Sequence, residues 1–273
     1  MRALTPTTAE KYARLQALLR ALGRVVVGFS GGVDSTLLLR VAVDTLGADA
    51  VLAVIGDSDS YPSREFAAAK RLAEAMGARF QVAQSEELND PRYAANPSNR
   101  CYYCKSDLFG RLVAIAEAEG FSAVLDGNNA DDLGDWRPGQ QAARELGVRS
   151  PLMEVGMTKA EVRELSRALG LPTWDKPAFA CLSSRIPYGT PITTDALSAI
   201  EQAEDFLRDL GFAQVRVRHH TDLARIEVAP ADIPRLLDPA LRARVTARLR
   251  ELGYTYVTVD LQGYRTGSMN EAL

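Results

Sequence analysis

Arg24-Val25-Val26-Val27-Gly28-Phe29-Ser30-Gly31-Gly32-Val33-Asp34-Ser35-Thr36-Leu37-Leu38-Leu39-Arg40-Val41-Ala42 is the stretch whose reading decides the fold. Its three consecutive valines form a short β-branched run, the pattern of a buried strand. Beyond the glycines, Val33, Leu37, Leu38 and Val41 recur at helical spacing. A strand that turns through paired glycines into a helix N-terminus makes an anion site. The glycines allow φ > 0 and close approach of the backbone, and the free N–H groups of the first helical turn point at the anion. Ser30 and Ser35 add hydroxyl donors. No Gly-Lys-Ser/Thr follows the glycines, which excludes a Walker A loop, and no G-x-G-x-x-G is present to bind a dinucleotide.

Outward from this stretch, strands and helices alternate. Lys11 to Leu22 reads as an amphipathic helix, Val51 to Ile55 as a second strand and Arg79 to Ala83 as a third. Between those two strands, Pro62 opens a helix that Gly77 stops. A helix is expected from Arg100 through Glu119, a strand over Ala123 to Asp126, and a helix capped by Thr158 with Glu161 three residues on. This alternation predicts an α/β fold, a parallel sheet with helices on both faces. Ligands in such sheets bind beyond the carboxyl ends of the strands, where Ser30 and Asp57 to Ser60 both fall. From Thr193 the texture changes to αββαβ, with a helix to Leu210 and strands at Val215 to His219 and Ala224 to Val228. A single helix from Ile233 to Leu252 and a strand at Tyr254 to Asp260 follow. We therefore expect a larger domain over residues 1–190 and a small α+β domain over 191–273, with Met269 to Leu273 frayed.

The chain has 273 residues, 47% apolar and 25% charged, which is ordinary globular composition. Its net charge of −3 and pI near 5.6 argue against a general electrostatic grip on nucleic acid. No signal peptide is apparent, and no apolar run approaches the ~20 residues of a membrane span. A cytoplasmic protein with no membrane and no nucleic-acid partner is the expectation. Three cysteines, an odd number, argue against a disulfide framework.

All three cysteines lie in irregular stretches. Cys101 and Cys104, spaced C-x-x-C at a helix start, can point two thiolates at one metal, and Cys181 comes from a distant loop. Against small buried hydrophobes stand two metal readings. Structural zinc wants four ligands, and the only histidines, His219 and His220, belong to the second domain. A cubane iron–sulfur cluster held by three thiolates would leave one iron open for an exogenous sulfide. Asp126, Asp131, Asp132 and Asp135 either position Mg²⁺ on a triphosphate or cap a solvated turn. Arg216 and Arg218 alternate with valines and share one face of a strand, suited to clasping a phosphate or simply to solvent. Glu204 and Glu227 either pair with those arginines or bind a metal.

SGGVDS after a strand, residues 30–35, resembles the PP-loop of the ATP pyrophosphatases, which transfer AMP from ATP to a substrate oxygen. Together with GNNADDLGDWRPG (127–139), KPAFACLSSRIPYG (176–189) and VRVRHH…LARIEV (215–228), it makes nearly the whole chain similar to the LarE family of PP-loop sulfur transferases. The resemblance implies a substrate, a pyridinium mononucleotide whose two ring carboxylates become thiocarboxylates for a nickel-pincer nucleotide cofactor. It implies that Ser30, Gly31, Gly32, Asp34 and Ser35 hold the ATP phosphates with Mg²⁺, and that Ser184, Arg185, Arg216 and Arg218 grip the substrate phosphate. Asp34 and Cys181 are the expected catalytic residues. Many members have a single cysteine at the position of Cys181 and give up its sulfur. This chain adds Cys101 and Cys104 and is similar to members whose three cysteines bind a [4Fe–4S] cluster carrying an extra sulfide. The family also implies a homo-oligomer, the small domain serving substrate binding and oligomerisation. Rival readings are a tRNA thiolase, an ammonia-using synthetase resembling those for NAD or GMP, and a non-catalytic ATP- or metal-binding module.

Overall fold

The computed structural model describes residues 4–133, 138–177 and 180–265. Asp135, parts of the 127–139 and 176–189 motifs, and the end expected to fray lie outside them. The strands are β1 (Val25–Gly28), β2 (Val51–Asp57), β3 (Arg79–Gln84), β4 (Ala123–Leu125), β5 (Val215–His220), β6 (Leu223–Val228) and β7 (Tyr256–Val259). The first six helices are α1 (Pro6–Leu22), α2 (Val33–Leu46), α3 (Ser63–Ala75), α4 (Pro91–Ala94), α5 (Arg100–Glu119) and α6 (Pro138–Glu145). They are followed by α7 (Pro151–Glu154), α8 (Lys159–Ala168), α9 (Thr194–Asp209), α10 (Ile233–Leu236) and α11 (Pro239–Glu251).

The first unit holds a four-stranded parallel sheet in the order β3-β2-β1-β4. β1 lies inside it, which is why Val25, Val26 and Val27 are all fully buried. Side chains alternate across a strand. Val25 and Val27 accordingly join a core with Leu15 and Leu19 of α1, Leu37 and Leu38 of α2, and Val162 and Leu165 of α8. Val26 faces the opposite core, with Phe109 and Leu112 of α5. A helix buried around most of its circumference is apolar around most of it, and Leu37, Leu38 and Leu39 of α2 are each fully buried.

The second unit is a mixed sheet, β5-β6-β7, antiparallel between β5 and β6 and parallel between β6 and β7. One face carries Val215, Val217, Ala224 and Ile226 into a core with Leu207 of α9 and Leu249 of α11. By strand alternation the other face carries Arg216, Arg218, Arg225 and Glu227.

Two expectations are corrected. The chain divides into residues 1–87 with 99–179 and residues 88–98 with 180–273, rather than at residue 190. Hydrogen bonds tie 88–98 to 180–192: Tyr93 Oη to Ser183 Oγ at 2.7 Å, Asn96 Nδ2 to Pro187 O at 2.8 Å, and Ile192 N to Ala94 O at 2.8 Å. The helix expected over 233–252 is interrupted between Leu236 and Pro239. Asp238 Oδ1 accepts from Leu241 N at 2.9 Å and caps a new helix, and Pro239 opens it without needing an N–H partner. The short helices α4, α6 and α7 have no counterpart in the periodicity of their sequences.

Candidate active site

The loop from Ser30 to Ser35 is shaped as its glycines require. Gly31 has φ of +61°, and a Cβ there would stand 3.0 Å from Ala69 Cβ of α3. Gly32 is the N-cap of α2 with no side chain to cap it, so the first-turn N–H groups are not claimed by a capping side chain. Ser35 Oγ lies 3.1 Å from Ser30 Oγ and accepts from Ser30 N at 3.3 Å. Tyr61 Oη donates to Ser30 O at 2.8 Å. Burial pushes the Tyr61 hydroxyl above its ordinary pKa, with the neighbouring Glu65 carboxylate adding to the shift, so it stays a donor.

The segment after β4 packs directly on this helix start. A Cβ on Gly127 would come within 2.9 Å of Ser35 N, so only glycine permits the approach. Asp34, in the first turn of α2, accepts from Asn129 Nδ2 at 3.1 Å and is ion-paired with Lys159. Asp126, Asp131 and Asp132 act as brackets. Asp126 accepts from Ser150 Oγ at 2.6 Å and Asn128 N at 3.1 Å, and burial pushes its carboxyl up. Asp131 Oδ2 accepts from Lys159 N, the first residue of α8, and Asp132 Oδ2 accepts from Asn129 N in a capping box.

Two lysines at the loop escaped the sequence reading. Lys159 pairs with Asp34, and Lys176 Nζ donates to Gly31 O at 3.0 Å while pairing with Glu65 at 2.6 Å. Arg163 holds the Lys176 segment by donating to the carbonyls of Trp174 and Lys176 at 2.9 and 3.0 Å. A phosphate loop without its own lysine is thus supplied with two ammonium groups from 125 and 145 residues away. Nothing local marks either residue, since both sit in sequences that read as a helix start and a turn.

In the second unit, the residues expected to grip a phosphate form a connected cluster. Arg216 is half-buried, donates to Val215 O at 2.8 Å, and lies 5.3 Å from the Tyr264 ring centroid. Burial, then the nearby Arg185 charge, lowers its pKa. Arg218 pairs with Glu227 at 2.7 Å and donates to Ser184 O at 3.0 Å. Ser184 Oγ donates to Cys181 O at 2.7 Å. Arg185 has no exposed surface and makes a two-point pair with Glu204, at 2.8 and 3.0 Å. Despite the cost of burial, the Arg185 pairing holds the Glu204 carboxyl below the usual range, with Arg216 and Arg208 adding to it. Glu204 pairs with Arg185 and Arg208, and Glu227 with Arg218 and Arg225.

Cys101 and Cys104 lie one turn apart in the first turns of α5, Cys101 exposed and Cys104 half-buried. Cys181, half-buried, belongs to the second unit. None of the three is in a disulfide. Among the described residues, no three His, Cys, Asp or Glu side chains are gathered as a metal-binding group. No helix among them is long and apolar enough to cross a membrane.

A central parallel strand running through Gly31-Gly32 into a helix, with lysines brought from elsewhere, defines a PP-loop nucleotide-binding enzyme. The NAD synthase family model matches residues 14–95. An uncharacterized protein of Synechocystis is 46% identical over 263 residues, 96% of this chain and 98% of that one. The pyridinium-3,5-bisthiocarboxylic acid mononucleotide synthase of Lactiplantibacillus plantarum is 45% identical over 267 residues, 98% of this chain and 96% of that one. A probable tRNA sulfurtransferase of Methanothermobacter thermautotrophicus is 25% identical over 157 residues, 54% of this chain and 40% of that one. The chain belongs to the family of the mononucleotide synthase, the LarE group of ATP-dependent PP-loop sulfur transferases, as its motifs led us to expect.

Proposed function

We propose that this enzyme adenylylates the carboxylates of pyridinium-3,5-biscarboxylic acid mononucleotide and converts them to thiocarboxylates. The observation that carries the reading is the phosphate loop with Asp34 set between Asn129 and Lys159, in a chain 45% identical to a synthase of the bisthiocarboxylic product. A carboxylate is a poor electrophile because substitution would expel oxide. Its attack on the α-phosphorus of ATP forms an acyl adenylate and releases pyrophosphate. Sulfur then adds to the acyl carbon and AMP departs.

The chain's own residues support the first step. Ser30, Gly31, Gly32 and Ser35 offer hydroxyl and backbone donors to the departing pyrophosphate. Lys159 and Lys176 bring positive charge to the same loop. Asp34 would hold Mg²⁺ at the phosphates, because it lies in the first turn of the helix that follows the glycines. Arg216, with Arg218 and Ser184, takes the substrate phosphate.

For the sulfur, the donor set fits a [4Fe–4S] cluster held by Cys101, Cys104 and Cys181: three soft thiols, none in a disulfide, two of them one helical turn apart. Held by these thiols, the cluster would supply the sulfide nucleophile. A second reading keeps the same activation and takes the sulfur from Cys181 itself, leaving dehydroalanine. It is supported by the Cys181 thiol itself, carried on a turn whose carbonyl is held by Ser184 and Arg185.

Anaerobic reconstitution with iron and sulfide, followed by assay with the biscarboxylated nucleotide, tests both. The cluster reading expects about four irons per chain, repeated turnover, and loss of iron in Cys101→Ala. Low iron with a single turnover, and Cys181 lighter by one sulfur in the mass spectrum, would select the second reading. No AMP or pyrophosphate with this substrate would overturn both.

A further inference from the structure

The guanidinium of Arg185 is enclosed entirely within the second unit, and its hydrogen bonds account for nearly all its donors. Nε and Nη2 bind the two oxygens of Glu204 at 2.8 and 3.0 Å. Nη1 reaches Ala180 O and Cys181 O, both at 2.7 Å, and Ser184 Oγ at 2.9 Å. A guanidinium has five N–H donors in a fixed planar fork. One goes to Glu204 from Nε and one from Nη2, and both on Nη1 are spent on the Cys181 turn. A single N–H on Nη2 remains, which is too little for a bidentate phosphate grip.

The acceptors of Nη1 lie on the segment that presents the sulfur. Cys181 is the N-cap of a short 3₁₀ turn, Leu182–Arg185. Its carbonyl receives Ser184 N at 3.1 Å, Ser184 Oγ at 2.7 Å and Arg185 Nη1 at 2.7 Å. Glu204 is itself fixed, accepting from Val217 N at 3.1 Å and Arg208 Nη2 at 2.7 Å. A rigid carboxylate on α9 therefore orients one arginine, and the other edge of that arginine sets the backbone of residues 180 and 181.

We infer that Arg185 is a positioning residue for Cys181, holding the cysteine-bearing turn through the carbonyls of Ala180 and Cys181, and that it does not grip the substrate phosphate. The inference rests on the sulfur-transfer reading only for its catalytic consequence. The geometry of the turn stands apart from that reading.

Arg185→Lys keeps the charge but replaces the fork by a point contact. In the full chain freed of metal by a chelator, iodoacetamide should alkylate Cys181 at least fivefold faster in Arg185→Lys than in the unaltered protein. Cys101 and Cys104, read from the same peptide digest, should stay within twofold. Glu204→Gln, which loosens the same arginine, should act in the same direction and serves if Arg185→Lys does not fold. Arg248→Gln is the structural control, because Arg248 lies in the same unit, contacts Glu251 and Gln202 and touches neither Glu204 nor the turn, and it should leave Cys181 labelling within twofold. In the reconstituted enzyme, Arg185→Lys should lower kcat by 10- to 100-fold with the KM of the pyridinium nucleotide within twofold. Unchanged Cys181 labelling with a tenfold rise in that KM would return Arg185 to the phosphate and overturn the inference, as would an equal labelling response in Arg248→Gln. Absence of product from the unaltered enzyme would sink the proposed function alone, and the labelling comparison would still decide the role of Arg185.

Discussion

Asp34 shows how a single side chain ties distant segments to the phosphate loop: one oxygen takes the Asn129 amide and the other the Lys159 ammonium. Asp34→Ala removes the carboxylate proposed to hold Mg²⁺ and the Lys159 ion pair with it. ATP–pyrophosphate exchange should fall by about 10²-fold, the scale seen when one transition-state contact is lost; exchange within threefold of the unaltered enzyme would remove Asp34 from the site. His219 and His220 give a second residue-scale expectation. Burial lowers the pKa of both, helped by each other's proximity for His219 and by Arg225 and Arg218 for His220. A folded pKa below the unfolded value of about 6.5 favours the neutral form, so the stabilisation is present above that pH and lost as pH falls through the folded value. Tm should therefore drop between pH 7 and pH 5, and His219→Gln with His220→Gln should flatten that part of the curve. An unchanged slope in the double variant would assign the drop to other groups.

Whole elements are held by contacts whose loss should be felt locally. The segment after β4 reaches the N-terminus of α2 only because Gly127 has no side chain, the nearest backbone atom lying 2.9 Å from an added Cβ. Gly127→Ala must push that segment and the first turn of α2 apart. The expected result is at least a tenfold weaker ATP affinity by calorimetric titration; affinity within twofold would mean that the approach is not needed. α8 opens with a full capping box, Thr158 Oγ1 accepting from Glu161 N and Glu161 Oε2 accepting from Thr158 N. Thr158→Ala should cost about 1 kcal/mol and lower Tm by about 2–4 °C. Because Lys159 follows that cap directly, the same variant should also weaken pyrophosphate exchange more than its stability loss accounts for.

At the scale of the molecule, net charge bears on whether RNA can be a partner. With 32 basic and 35 acidic residues the net charge is −3, and few of the arginines named above are free of acidic partners. Bulk tRNA should show no binding at 150 mM salt. A log–log salt dependence with a slope near −5 or steeper would mean several phosphate contacts and would favour the tRNA thiolase reading. Each unit carries its own buried core. Leu38→Ala in the first and Leu207→Ala in the second, both at fully buried positions, should each cost about 2–5 kcal/mol.

The elements marked by strong periodicity could be read from the chain. The valine run of β1, the helical spacing after Gly32, the Thr158–Glu161 box and the alternation in β5 are statements about neighbours within a few residues, where backbone sterics and burial act directly. α4, α6 and α7 each span only four to eight residues, too few for a period to register. Their placement follows from what they pack against. Asp238-Pro239 did carry a local break signal, but the apolar pattern on either side concealed it. Residue types likewise pointed to Ser30 through Ser35, the cysteines and the arginines. Tertiary structure alone decided which donors are already spent. It brought Lys159 and Lys176 to the loop, set Asp131 on the first residue of α8, joined 88–98 to the second unit, and closed Arg185 around Glu204 and the Cys181 turn. The reason is physical: hydrogen-bond capacity is finite and is used up by partners a hundred residues away, and a sequence states what a side chain can donate without stating what has already accepted it.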